Sequence, residues 1–94
     1  MSSPTITPEA RPRLPRGVRL MHNEAHGGWV LAAPERIFRP NNTAVEILKR
    51  CDGSATLRAI VDDLAASFNA PPERVMADVS ATLRQLADKR LLEL

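Results

Sequence analysis

The stretch RIFRPNNTAVEILKRCDG, Arg36 to Gly53, decides the fold, because within it the period of a strand gives way to the period of a helix. Ala44, Ile47, Leu48 and Cys51 stand at i, i+3, i+4 and i+7, which a helix gathers into one apolar stripe that needs a partner. Asn42 or Thr43 is placed to cap that helix, and Thr43 with Glu46 has the spacing at which two residues satisfy each other's free backbone N–H. Gly53 suits the left-handed residue that closes a helix. Pro40 cannot donate to a strand ladder and marks the strand's end. Strand and helix are therefore expected to meet at a fixed corner.

Upstream, Val18, Leu20 and His22 alternate with Arg19, Met21 and Asn23 from Gly17 onward, the period of a half-buried strand. Ala25-His26-Gly27-Gly28 reads as a turn, because paired glycines supply the positive φ that hairpins need. Trp29–Ala32 follows as a second strand, Pro34-Glu35 as a second turn, and Arg36–Arg39 as a third strand. The pattern predicts a three-stranded antiparallel meander. Residues 1–16 hold four of the eight prolines, with Ser, Thr and Arg and little to bury, and read as a flexible Pro/Arg-rich arm ahead of a domain spanning 17–94.

Downstream, Thr56 or Ser54 opens a second helix whose apolar stripe is Leu57, Ile60, Val61, Leu64 and Phe68. Asn69-Ala70-Pro71-Pro72 breaks it and starts a third, with Pro72 at the first helical position and Glu73 near the positive end of the dipole. Val75, Val79, Leu83 and Leu86 line one face of this helix; Leu91, Leu92 and Leu94 follow as a greasy tail without a helical face. Three amphipathic helices over a small sheet make a two-layer α+β domain, and the short link at Gly53 is like a winged helix-turn-helix corner.

A chain of 94 residues suggests one domain without room for a deep catalytic cavity. A single cysteine excludes an intrachain disulfide and a thiolate cluster for zinc or iron–sulfur, which fits a reducing cytoplasm. No run approaches the length of a membrane span. Of the charges behind the net +2, residues 1–39 carry six Arg against three Glu, so the basic bias lies at the front. Arg11, Arg13, Arg16 and Arg19 are placed to attract an acidic partner or nucleic acid, or simply to solvate a tail.

No catalytic constellation emerges, and neither an enzyme activity nor a cofactor is expected. His22 and His26, with Glu24 nearby, fall at a strand end and a turn, and lack a third ligand in metal-binding geometry. Cys51 continues a buried stripe with no base beside it, which reads as a core thiol. A winged-helix DNA binder is the alternative reading, but the wet face of the third helix mixes Glu73, Arg74, Asp78, Arg84 and Asp88, which repels phosphates as much as it attracts them. The free edge of the meander is the surface with a mechanism, since an edge strand templates an added chain. Arg36 and Arg39 equally suit protection of that edge from aggregation, and an open edge also admits a second copy as a homodimer.

The run Asn41–Gly53, with Ile-Leu-x-x-Cys-Asp-Gly at its end, followed by Ile60-Val61-x-x-Leu64 and preceded by the hairpin WVLAAPERIFRPN, resembles the PqqD family over roughly residues 14–94. These are the peptide chaperones of pyrroloquinoline quinone (PQQ) biosynthesis. The resemblance implies a small domain that binds the ribosomally made precursor PqqA and presents it to the radical S-adenosylmethionine enzyme PqqE, which holds the iron–sulfur chemistry. It further implies that the peptide adds as a strand beside Arg36, Ile37, Phe38 and Arg39, with Val75, Val79, Leu83 and Leu86 as the groove. Phe38→Pro is the expected probe of that edge.

Overall fold

The computed structural model describes residues 6–94. Three strands, β1 (Arg19–Asn23), β2 (Gly28–Ala33) and β3 (Arg36–Phe38), form an antiparallel sheet in the order β1-β2-β3, followed by α1 (Asn42–Leu48), α2 (Leu57–Phe68) and α3 (Pro72–Asp88). This is the three-strand, three-helix α+β architecture that the periodicities predict.

The register follows from the burial pattern. Leu20 pairs with Leu31 and Leu31 with Phe38, so these three side chains share the face that meets the helices. Met21 pairs with Val30 and Ala32 with Ile37 on the opposite face, where Met21 and Ile37 are exposed. β1 reaches β2 through a single 3₁₀ turn, Glu24–His26, capped by Asn23 Oδ1, which accepts the Ala25 N–H at 2.9 Å. Gly27 follows at φ +85°, where a side chain would be strained. β3 ends at Phe38, so Arg39 lies just beyond the ladder and not within it.

Three expectations about the helices are corrected. The cap of α1 is Asn41, not Asn42 or Thr43: its Oδ1 accepts the Ala44 N–H at 2.8 Å. Glu46 is therefore not in a capping box, and its carboxylate instead pairs with Arg50 Nη1 at 3.1 Å and Lys49 Nζ at 3.3 Å. Gly53 does not close α1, which ends at Leu48; its φ of +82° serves a separate turn built on Asp52 Oδ1, which accepts the N–H groups of Ser54 (2.8 Å) and Ala55 (3.0 Å). Those two amides hold the Asp52 carboxyl below its usual range, that of Ala55 most strongly. Phe68 is not in the core either, being 58% exposed at the last residue of α2, just before the left-handed Asn69.

The cap assignment is testable. Asn41→Ala is expected to destabilise the domain by about 1 kcal/mol, lowering its melting temperature by about 4–8 °C, whereas Thr43→Ala leaves it nearly unchanged. Thermal unfolding of the two variants checks this, and equal losses would return the cap to Thr43.

The core gathers Leu31, Ile47, Leu57, Ile60, Val61, Val79, Leu83 and Leu91, all 2% exposed or less, from every layer of the fold. Arg50 ties α1 to α2 by donating from Nε to Asp63 Oδ2 at 2.5 Å. After α3 the chain turns at left-handed Arg90: the Arg90 N–H bonds the Ala87 carbonyl and the Leu91 N–H bonds the Leu86 carbonyl, both at 2.9 Å. That closure tucks Leu91 and Leu92 into the core and gives the apolar tail its place; Leu94 stays exposed.

Of the stretch expected as an arm, residues 6–16 are described and residues 1–5 lie outside the described residues. Proline lacks an N–H but keeps its carbonyl, and the carbonyls of Pro8 and Ala10 accept from Arg58 (3.0 Å) and Leu57 (2.7 Å), the first two amides of α2. Together with Thr56 Oγ1, which accepts from Ala59, they satisfy three of the four N–H groups a helix start leaves open. Pro12 accepts from Gly53, and Arg13 exchanges backbone bonds with Glu93 at 2.9 Å in both directions. Residues 8–13 are thus a strap across the start of α2 and the C-terminal segment.

Candidate peptide-binding site

A two-residue hairpin fixes which backbone groups of β3 are free. Ala33 and Arg36 flank Pro34-Glu35 and so form the hydrogen-bonded pair that closes the turn. Alternation then directs the N–H and C=O of Phe38 into the sheet toward Leu31, and those of Ile37 outward from the sheet. Ile37 is thus the residue whose backbone is open to an added strand. On the other edge the same parity leaves Leu20 and His22 of β1 outward.

The outer side of β3 faces the C-terminal half of α3. Between them lies a cavity of about 190 Å³, lined by Phe38, Arg39 and Asn41 on one side and by Thr82, Gln85, Leu86 and Lys89 on the other. Arg36 Nη2 donates to the Lys89 carbonyl and bridges the two walls at the hairpin end. The site therefore combines a one-strand edge with an adjoining groove, which suits an extended chain and offers no pocket for a small substrate.

The eight residues expected at this site divide. Arg36, Ile37, Phe38 and Arg39 stand at the edge, with Ile37 half exposed. Leu86 contributes to the groove from an almost buried position. Val75 and Val79 line a different recess of about 150 Å³ toward the start of α3, shared with Thr43, Ile47, Leu64 and Phe68. Leu83 is 0% exposed and belongs wholly to the core. Val79, Leu83 and Leu86 are buried in the core, so of this stripe only the margin at Leu86 reaches the groove. The groove is also lined by residues outside the expected eight: Asn41 and Ala44, and Thr82, Gln85 and Lys89, which form a stripe at helical spacing beside Leu86.

The other sequence candidates hold no chemistry. Cys51 is buried, its Sγ donates to the Ile47 carbonyl at 3.2 Å, and burial, assisted by Asp52, pushes its pKa up to about 12, so it carries no thiolate near neutrality. His22 packs edge-on against Trp29, with ring centroids 5.2 Å apart. Among the described residues no group of three His, Cys, Asp or Glu could hold a metal ion, and no helix is long and apolar enough to cross a membrane.

Known proteins resemble this chain in sequence and in fold. The chain is 43% identical over 88 residues, 94% of its length and 86% of the relative's, to the PqqA binding protein of Rhodopseudomonas palustris (strain HaA2). Its fold superposes with a TM-score of 0.81 on the solution structure of the PqqD truncation of Methylobacterium extorquens PqqCD, described as a functional and stand-alone recognition element for ribosomally synthesised and post-translationally modified peptides (RiPPs); identity is 41% and coverage 96% of both chains. The crystal structure of PqqD from Xanthomonas campestris gives a TM-score of 0.60 at 40% identity, covering 96% of this chain and all of that one. Residues 28–92, which hold β2, β3 and all three helices, match the family of coenzyme PQQ synthesis protein D, and the chain belongs to the PqqD family.

Proposed function

We propose that this chain is a non-enzymatic, cytoplasmic peptide chaperone of PQQ biosynthesis that captures a PqqA precursor as an added strand on β3 and presents it to the radical S-adenosylmethionine enzyme PqqE. The observation that supports capture at this edge is the outward-facing backbone of Ile37 beside the groove between β3 and α3. Relatives named PqqA binding protein support the choice of peptide. Residues 17–94 form the recognising unit in this reading, with the strap at 8–13 as its support. Backbone pairing explains how a small domain grips a chain without a deep pocket, and micromolar to submicromolar affinity is expected after the peptide is ordered. The exposed face of α3 alternates acids and bases, which gives duplex phosphates no consistent attraction.

Titration of the isotope-labelled protein with synthetic PqqA peptide tests the proposal. Saturable amide shifts are expected at residues 36–39 and 82–89. A folded sample whose shifts fall elsewhere, or that shows none because a second copy occupies β3, overturns capture at this edge.

A further inference from the structure

The groove beside β3 continues at its hairpin end into a second cleft, of about 540 Å³, to which three arginines contribute: Arg16 after the strap, Arg36 at the start of β3, and Arg90 at the turn closing α3. The two spaces adjoin, because Arg36 lines the cleft while donating to the carbonyl of Lys89, which lines the groove. All three side chains are exposed, and none is in an ion pair among the described residues. Glu35, at the turn, is the single acid lining the cleft. The acids that are in ion pairs, Glu93 with Arg13 and Glu46 and Asp63 with Arg50, do not line the cleft. Pro15, Val18 and Pro34 supply a rigid apolar floor that leaves the guanidinium groups as the cleft's polar donors.

We infer that this arginine cleft receives acidic side chains of the captured peptide, fixing the register in which the strand lies on β3. The inference rests on the peptide-capture reading above and adds to it a substrate preference. A strand paired at Ile37 reaches the cleft two or three residues further on, roughly 7–10 Å at the rise of an extended chain. There a carboxylate meets planar donors able to bind it in pairs, and Arg36 keeps free N–H groups after serving Lys89. Duplex nucleic acid suits the cleft less well, since beside Arg39 and Lys89 the adjoining groove is lined by the uncharged Phe38, Thr82, Gln85 and Leu86, which give a phosphate backbone no continuous run of cations.

Binding of synthetic PqqA peptide, and of a copy with every Asp and Glu replaced by its amide, is measured for the wild type, for the double variant Arg16→Gln/Arg90→Gln and for the control Arg58→Gln on α2. The double variant is expected to bind the acidic peptide about tenfold more weakly at about 50 mM salt, with the gap closing at about 500 mM. It binds the amidated copy as the wild type does, and Arg58→Gln changes neither. Equal affinity of wild type and double variant for the acidic peptide overturns the cleft's role while leaving peptide capture standing. Failure of the wild type to bind either peptide overturns both. Tighter binding of a duplex oligonucleotide than of the acidic peptide, lost in the double variant, assigns the cleft to phosphate and overturns the inference.

Discussion

Leu83→Ala is expected to remove a large part of this domain's stability while leaving peptide affinity unchanged. Leu83 is 0% exposed and sits among Ile60, Leu64, Val79 and Leu86 of the core cluster that joins α3 to the remainder of the fold. Truncating a buried leucine costs about 2–5 kcal/mol, against a total of about 5–14 kcal/mol for a chain of this length. At about 4–8 °C for each kcal/mol, the melting temperature falls by at least about 8 °C. Thermal unfolding followed by far-ultraviolet circular dichroism measures the loss. A peptide titration well below the new midpoint measures the affinity of the folded protein. A variant as stable as the wild type that no longer binds would instead make Leu83 part of the ligand-facing wall.

The distinction between core and groove is what the sequence could not supply for α3. Periodicity identifies an apolar stripe, and Val79, Leu83 and Leu86 were legible as one side of the helix. It does not say which neighbour the stripe meets. Because α2 covers it, the open wall falls on Thr82, Gln85 and Lys89, polar side chains that carry no signal of their own. The stripe of α1 had no such ambiguity: Ala44, Ile47 and Leu48 are buried, and so is Cys51, which lies three residues beyond the end of the helix. Its cap was less legible because Asn41, Asn42 and Thr43 are all good capping residues in succession, and only the geometry after Pro40 selects the first.

Composition alone does not say what the proline-rich start bonds to, for a similar reason. Prolines weaken any helix or central strand, but the carbonyls of Pro8 and Pro12 remain acceptors, and the open amides of α2 and Gly53 supply donors from far along the chain. The apolar tail lies outside any helix, as read from the sequence; its place in the core depends on Arg90, which takes a left-handed conformation that sequence assigns to glycine, with the burial of Leu91 and Leu92 on its far side offsetting the strain.

The edge itself gives the sharpest test of function. Ile37→Pro is expected to weaken peptide capture about 10- to 100-fold, equivalent to roughly 1.4–2.8 kcal/mol, in a protein that still folds. The N–H of Ile37 points away from β2, so its loss breaks no bond of the sheet, and proline is tolerated on an edge strand in that orientation. An added strand loses that donor and meets the ring in its place. Phe38→Pro, the substitution that sequence alone recommends, is now expected to act differently: it removes the bond from Phe38 to Leu31 and disturbs the inner face, so it destabilises the sheet and confuses binding with folding. His22→Pro on the outer edge of β1 is the matched control, because it removes an equivalent outward N–H on the strand that lies away from α3. Calorimetric titration of PqqA peptide into the three variants, each checked for amide dispersion, reads the result. Loss of binding in Ile37→Pro with retention in His22→Pro places the peptide on β3; the reverse pattern moves it to β1, and retention in both means that the peptide is held by side chains without pairing to either edge.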